Sequence, residues 1–218
     1  LWFDAKSLNQ KNQSSVSTWL DRSGNKRHAT ASASPPTYLL QGEAGRPAVK
    51  FTKFQALDFA ILPLGAGTVV RLGLHNEGVE IGHKAQSSEI GAFLGGGTHV
   101  YYRLYPYTFF GWHGPAVRSR AFFRAFVRPA KSSSVSLWAN AVHAASKPSY
   151  TSDNPAGLTG VEDIKLSRIG KSGFSGNTPS HWLNGELNEV MVWSKQLSSK
   201  QIGYLQRWLS KKWSIVDL

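Results

Sequence analysis

Turn-forming residues recur along this chain at short intervals and leave room only for short elements between them. Glycine, proline, serine and asparagine cluster in segments such as RSGNKR (22–27), SPPT (34–37) and LGGGT (94–98). The stretches between such clusters alternate apolar and polar residues or are rich in β-forming residues, as in AVKF (48–51) and TVVRLGL (68–74). Many short strands punctuated by glycine and proline are typical of an all-β sandwich or barrel.

Three further segments also predict strands. In AFFRAFVR (121–128) neither of the two alternating faces is purely polar, which indicates a strand well inside a sheet. SVSLWANAV (134–142) and GELNEVMVW (185–193) have the same β character. FLGGGT (93–98) is not followed by Lys-Ser or Lys-Thr, so it predicts a hairpin turn and not a phosphate-binding loop.

One amphipathic helix is predicted near the C-terminus, over residues 199–213. Ser198 is suited to the N-cap, and Gln201 three residues later completes the pattern of a capping box. Leu197 and Ile202 fall at the positions of a hydrophobic staple around that cap. The apolar stripe that would lie against a sheet consists of Ile202, Leu205, Leu209 and Trp213.

The charge of the chain limits its partners. There are 25 Lys and Arg residues against 13 Asp and Glu residues, a net charge of +12, and such a surface attracts polyanions. Acidic polysaccharide, nucleic acid and anionic lipid are all eligible, and so is an acidic neighbouring protein. The chain has no cysteine, which excludes disulfides and thiolate metal sites. No stretch approaches the ~20 apolar residues that cross a bilayer, so we expect no membrane span.

Both ends of the chain resemble a known superfamily. The start reads LWFDA (1–5), STWLDRSGNKRHATAS (17–32) and GRPAVKF (45–51), and the close reads LNGELNEVMVWSKQLSSKQIGYLQRWLSKKW (183–213). These segments resemble the concanavalin A-like lectin/glucanase superfamily, and within it the laminin-G-like branch of bacterial, phage and large-virus proteins. The middle of the chain, 65–165, matches only in general β character.

The resemblance implies a single domain over 1–218. Its fold would be a two-sheet antiparallel β-sandwich of the jelly-roll, concanavalin A-like type, with one C-terminal amphipathic helix and with sugar bound at the concave face or its rim. We expect Trp2 and Trp19 to be core anchors. Glu186 and Glu189 are expected to be surface charges near a strand end, on opposite faces of their strand.

The acidic residues do not favour catalysis. A glycosidase needs two carboxyl groups at a set distance, and the Glu-x-Asp-x-x-Glu run of the glucanases that the chain resembles does not occur here. We predict no catalytic residue. A polysaccharide lyase that acts on a uronate polymer stays open as the enzymatic alternative, because Tyr, His and Lys suited to proton transfer are present. The Gln-Ile-His motif of jelly-roll alginate lyases is absent.

We predict neither a cofactor nor a metal ion. Calcium requires several hard oxygen ligands, and the candidates are single acids or sequence neighbours, whose side chains diverge on a strand. The histidines lack the i, i+2 or i, i+4 spacing typical of zinc ligands. The calcium candidates are Asp58, Asp153 with Asn154, and Glu162 with Asp163.

The most aromatic stretch, VYYRLYPYTFFGWHG (100–114), is the best candidate for a binding site. As one strand over 100–110 it would place four aromatic rings and Arg103 on one face, and buried tyrosine hydroxyls need partners, so we expect that face to be partly exposed. GWHG (111–114) would then be a loop. Core packing, a protein interface and a platform for glycan stacking all stay open. The predicted ligand-binding residues are Tyr101, Arg103, Tyr105, Tyr107, Trp112, His113 and Arg124.

Three functions are consistent with these features. The first is a non-catalytic recognition module that binds carbohydrate, with a preference for acidic glycans, or a cell-surface or virion partner. The second is a structural, decoration or receptor-binding component of a phage or virus particle within a larger protein assembly. The third is the lyase. Nucleic acid is disfavoured as a partner, although bases also stack on aromatic rings. The chain does not begin with Met, and we expect a processed protein or a piece of a longer one, located outside the cell, on its surface or in a virion.

Overall fold

A computed structural model of the chain describes residues 1–77, 79–82, 92–96, 99–104, 108–113, 123–128, 136–139, 142–145, 150–152, 164–171 and 182–215. Its strands, in chain order, are β1 (Trp2–Asp4), β2 (Thr18–Trp19), β3 (Ala29–Ala31), β4 (Thr37–Leu39), β5 (Ala48–Phe51), β6 (Leu57–Leu64), β7 (Gly67–Glu77), β8 (Val79–Gly82), β9 (Ala92–Gly96), β10 (His99–Leu104), β11 (Thr108–His113), β12 (Phe123–Arg128), β13 (Ser136–Ala139), β14 (Val142–Ala145), β15 (Tyr150–Ser152), β16 (Ile164–Ile169) and β17 (Asn184–Trp193). A short 3-10 helix covers Ala5–Leu8, and the α-helix α1 covers Ser199–Trp213.

The strands form two antiparallel sheets. The first sheet has the order β14-β13-β12-β7-β17-β5-β4, and β1 pairs with β17 beside that path. The second has the order β15-β11-β10-β9-β8-β16-β6-β3-β2. The prediction of an all-β, two-sheet antiparallel sandwich with one C-terminal helix is thus confirmed.

Aromatic side chains from both sheets meet in the core. Phe3 on β1 packs against Trp19 on β2 with ring centroids 5.4 Å apart, and against Phe59 on β6 at 5.9 Å. All three are buried, so Trp19 is the core anchor that the sequence predicts. Because successive residues of a strand face opposite ways, Trp2 and Asp4 on either side of Phe3 face out of the sandwich.

Helix α1 has the predicted bounds and lies on that outer face. Its capping box is formed: Ser198 Oγ accepts from the Gln201 backbone N–H at 3.3 Å, and Gln201 Oε1 accepts from the Ser198 N–H at 2.8 Å. Lys212 Nζ in the last turn donates to Asp4 Oδ2 at 2.8 Å. The apolar stripe is turned inward, since Ile202, Leu209 and Trp213 are buried and Leu205 is partly buried.

Strand β12 lies between β7 and β13, as its two apolar faces predict. Phe123, Ala125 and Val127 alternate with Arg124 and Phe126, and all five are buried. Neither face of β12 is therefore available for solvated side chains.

Two strand predictions need correction. The segment 134–142 is not one strand, because β13 and β14 divide it and pair with each other. The segment 100–110 is not one strand either: β10 and β11 pair antiparallel, with Leu104 opposite Thr108. The sequence has a proline at position 106, outside the described residues, and proline in a strand pattern favours an edge or a break. Among the helices described, none is long and apolar enough to cross a membrane.

Candidate functional site

A cleft of about 670 Å³ opens on the outer face, where the end of β17 meets β1, α1 and the turn 22–27. Its size is within the range of pockets that hold small molecules. Three indole side chains, those of Trp2, Trp193 and Trp208, line it, and we call it the tryptophan cleft. The other apolar lining residues include Leu62, Met191 and Leu205.

The rings of Trp2 and Trp208 are held in place by contacts with each other and with neighbouring side chains. The rings of Trp2 and Trp208 meet edge to face, with centroids 6.2 Å apart and planes at 67°. Trp2 Nε1 donates to Glu189 Oε1 at 2.6 Å, which fixes the orientation of that ring. Lys212 Nζ lies 5.1 Å from the Trp2 centroid and 4.9 Å from that of Trp208. Trp208 is nevertheless 44% exposed, so one part of its surface is free to contact a ligand.

The turn that forms the polar rim is organised by Asp21. Its Oδ1 accepts the backbone N–H groups of Trp2 and Ser23, both at 2.9 Å, and its Oδ2 accepts that of Arg27 at 3.1 Å. Burial alone would raise the pKa of Asp21, but these hydrogen bonds lower it below the ordinary value. Asp21 therefore supports the turn and does not line the cleft.

Polar side chains ring the cleft, and its charged lining residues are cations. Ser23 and Asn25 come from the turn, and Ser194 follows β17. Arg27 and Lys195 are the charged side chains among the described lining residues, which include no Asp or Glu. Arg27 Nε is buried and has no hydrogen-bond partner. The Arg27 side chain lines the cleft, and its positive charge favours an anionic group on a ligand bound there.

Glu186 and Glu189 are not surface charges, and that prediction is wrong. Both are buried, and burial raises the pKa of each. Glu189 accepts hydrogen bonds from Trp2 Nε1, from Lys212 Nζ at 2.7 Å and from Trp213 Nε1 at 2.5 Å. Glu186 Oε2 accepts from the backbone N–H of Glu43 at 2.9 Å.

The two carboxylates also share a face, contrary to the prediction. The register of β17 against β7 shifts between Leu187 and Glu189, so that Glu186 lies opposite Leu74 and Glu189 opposite Leu72. Leu72 and Leu74 are two residues apart on β7 and therefore lie on one face of the sheet. The residues paired with them lie on that same face. Because of this bulge, Glu186 and Glu189 lie on the same face although they are three residues apart in the sequence. Neither carboxylate lines the tryptophan cleft.

The aromatic stretch predicted as the site forms the hairpin β10–β11. Its register places Tyr101 opposite Gly111, Arg103 opposite Phe109 and Val100 opposite Trp112. Residues directly opposed in an antiparallel ladder lie on the same face, so positions 101 and 103 share a face with 113 and not with 112. Gly111, Trp112 and His113 belong to β11, which corrects their prediction as a loop.

The remaining predicted ligand residues are partly outside the description. Tyr105 and Tyr107 lie outside the described residues. Arg124 is 3% exposed and lies opposite Arg71 of β7. A ligand-binding role for the stretch stays a prediction. Among the calcium candidates, Asp58 forms an ion pair with Arg168 at 2.5 Å. Asp153, Asn154, Glu162 and Asp163 lie outside the described residues, which contain no cluster of three or more His, Asp or Glu residues suited to a metal ion.

Three members of the cleft are not evident from the sequence pattern. Trp193 falls in a predicted strand, Trp208 in the predicted helix and Arg27 in the predicted turn 22–27. Trp208 lies outside the apolar stripe of α1, and a tryptophan off the buried stripe of an amphipathic helix was the signal that could have identified it. Trp2 was predicted as a core anchor, but it is only partly buried and forms a wall of the cleft.

Comparison with known proteins gives the fold. No protein-family model and no curated protein matches the chain. An arabinofuranosidase solved with arabinofuranosyl-α-1,2-xylobiose matches with a TM-score of 0.62 and 12% identity, over 88% of this chain and 50% of its own. Domain 4 of the extracellular arabinanase AbnA from Geobacillus stearothermophilus, solved with arabinotriose, matches with 0.52 and 12%, over 80% and 82%.

A mutant of HCR/D matches with a TM-score of 0.55 and 13% identity, over 90% of this chain and 51% of its own. The chain shares the β-sandwich fold of these proteins. It spans half the length of the arabinofuranosidase chain. Because the identities are this low, the likeness establishes the fold alone.

Proposed function

We propose that this chain is a non-catalytic module that binds carbohydrate in the tryptophan cleft. The observation that carries the proposal is the lining itself, in which three indoles stand among hydroxyl, amide and cationic side chains. Sugar rings stack their C–H faces on aromatic rings, and the polar groups around such a site orient the hydroxyls. Two of the structural neighbours were solved with arabinose-containing oligosaccharides, which supports carbohydrate recognition on this fold.

An acidic glycan suits the cleft better than a neutral one. Arg27 and Lys195 supply positive charge, and Arg27 Nε has no hydrogen-bond partner. A uronate carboxylate accepts charge-assisted hydrogen bonds, which are stronger than neutral ones. The net charge of +12 would add a long-range attraction that falls with salt.

The finer family assignment also stays our proposal. We infer that the chain belongs to the laminin-G-like branch, because the residues that carry the resemblance have structural roles here. Asp21 builds the turn of the DRSGN segment, Ala48–Phe51 forms β5, and Glu189 joins β17 to α1. A location outside the cell or in a virion is proposed on the same resemblance.

The alternatives differ in what they require of the cleft. A lyase would need a proton-transfer residue beside the sugar, and among the described cleft residues, which include no Tyr or His, Lys195 is the side chain of that kind. A structural component of a virion would instead use the exposed aromatics as a protein contact. If the chain has that function, it would not bind isolated glycans.

The test is a glycan array at two salt concentrations with matched helix variants. Trp208→Ala should weaken the best glycan by about tenfold or more, because it removes one stacking wall. Tyr204→Ala is the control, since Tyr204 is 55% exposed on the same helix but does not line the cleft. Binding to acidic glycans should weaken at the higher salt concentration. Equal affinities of the two variants, or no glycan bound by the wild type, would contradict the proposal.

A further inference from the structure

A second aromatic cluster lies at the opposite end of β17 from the tryptophan cleft. Trp182 precedes β17, which begins at Asn184, whereas the cleft uses Met191 to Lys195 at its other end. A strand rises about 3.3 Å per residue, so the length of β17 separates the two places by about 30 Å. The cluster consists of Phe54, Trp182 and Lys171.

Phe54 forms the exposed tip of this cluster. Its ring meets that of Trp182 edge to face, with centroids 5.2 Å apart and planes at 61°. Lys171 Nζ lies 4.0 Å from the Trp182 ring centroid. Trp182 is buried beneath these neighbours, whereas Phe54 is 54% exposed. Trp182 therefore supports the Phe54 ring, which keeps open apolar surface beside the cations of Lys171 and the exposed Lys53.

The backbone holds Phe54 in a conformation that a bulky residue seldom adopts. Its φ is +71°, a region that glycine enters without steric cost. The turn is held in place by Gln55, whose backbone N–H donates to Thr52 O at 3.3 Å and whose Oε1 accepts from the Thr52 N–H at 2.8 Å. Gln55 Nε2 also donates to Pro35 O at 2.9 Å. Strained residues that are held this firmly cluster at ligand-contact sites.

We propose that the Phe54 ring is a second sugar-stacking site, which takes another residue of the acidic glycan chain that occupies the tryptophan cleft. This inference rests on the proposed function. Lys53 and Lys171 give this place the same charge preference as the cleft. Since about 30 Å separates the two sites, only a polymer reaches both. Two linked sites typically raise affinity by about 10²–10⁴ over a single one.

The experiment compares variants against polygalacturonate, a uronate polymer, and against its trisaccharide. Phe54→Gly should lower the affinity for the polymer about tenfold or more and reduce the trisaccharide stoichiometry from two to one in calorimetry. Glycine adopts the positive φ of this position without strain, so the turn should keep its conformation in this variant. Phe54→Trp should keep polymer binding. Leu40→Ala, which removes an equally exposed apolar side chain (53%) elsewhere, should change neither quantity.

The outcomes separate this inference from the proposed function. Wild-type polymer affinity in Phe54→Gly would overturn the second site. If Trp208→Ala still abolished trisaccharide binding while Phe54→Gly left it intact, the cleft would stand alone. If Phe54→Gly abolished binding and Trp208→Ala did not, the Phe54 site would stand and the cleft would fail. A wild type that binds neither probe would overturn both assignments for uronates.

Discussion

Two neighbouring regions on either side of Trp2 are built from the same residue types but differ in how their charges are satisfied. In the region around Glu189, which we call the Glu189 corner, the carboxylate accepts from Trp2 Nε1, Lys212 Nζ and Trp213 Nε1. In the tryptophan cleft, Arg27 Nε is buried without a partner, and Trp208 is half-exposed. The corner joins β1, β17 and α1, whereas the cleft keeps unused binding capacity.

The contrast teaches that aromatic and cationic residues together do not by themselves indicate a binding site. A buried charge with its full set of partners contributes to the integrity of the fold, and its removal leaves other groups uncompensated. A cation that lines an open cleft keeps its charge available to an anionic ligand. We therefore expect substitutions in the corner to change stability and substitutions in the cleft to change binding.

The largest expected effect is on the corner. Glu189→Ala should lower the free energy of unfolding by about 3–5 kcal/mol, because it leaves Lys212 and two indole N–H groups without their shared acceptor. Chemical denaturation measures this change. Glu43→Ala, at an exposed carboxylate, is the control and should change stability by less than about 0.5 kcal/mol. A Glu189 variant as stable as the control would show that the corner does not hold the helix.

A smaller effect, on binding alone, is expected in the cleft. Arg27→Gln should weaken binding of an acidic glycan by about tenfold and reduce its salt dependence, because a charge-assisted hydrogen bond is lost. The protein should be as stable as the wild type. Lys26→Gln removes an exposed neighbouring charge that does not line the cleft, and it should leave affinity within about twofold. Equal losses in the two variants would mean that net charge, and not the cleft, attracts the glycan.

The pH dependence distinguishes the buried carboxylates by sign. The pKa of Glu186 is raised, chiefly by burial, so the stability linked to this group is fully present below the ordinary value of 4.5 and is lost as pH rises through the raised pKa. The pKa of Asp21 is lowered, so its contribution is present above 3.8 and is lost as pH falls. Glu186→Gln should therefore gain stability relative to the wild type as pH rises above 4.5 in thermal melts. A constant difference between the two proteins from pH 3 to pH 8 would contradict the assignment.

The smallest expected effect concerns the hairpin β10–β11. The sequence predicts that Trp112 contacts a ligand, whereas the proposed function assigns that role to the cleft. If the cleft is the site, Trp112→Ala should lower glycan affinity by less than about threefold, against tenfold or more for Trp208→Ala. A titration of both variants with one oligosaccharide gives the comparison directly. A reversed order of the two losses would return the site to the aromatic stretch.

Much of the fold was predictable because its signals are local. Ser198 and Gln201 define the start of α1 within four residues of sequence, and the two-sided apolar pattern of 121–128 marks an interior strand. The fold class follows from the frequency of turns. Each of these signals depends on residues that are close in the sequence, so it can be recognised without knowledge of tertiary contacts.

The cleft was not predictable because its parts are distant in the sequence. Trp2, Arg27, Leu62, Trp193 and Trp208 come together only through the pairing of β1 with β17 and the packing of α1. The bulge that brings Glu186 and Glu189 to one face is a property of register, which a count of residues along one strand cannot give. The same limit applies to His99 and His113, which the sequence separates widely and the hairpin places opposite each other.

The most direct test of the cleft observes the indole N–H resonances of the eight tryptophans during titration with an acidic trisaccharide. Recognition in the tryptophan cleft predicts that the Trp2, Trp193 and Trp208 resonances shift and saturate together, while those of Trp19 in the core and Trp213 in the Glu189 corner stay in place. Shifts confined to the other indoles, with those three unchanged at saturation, would contradict it.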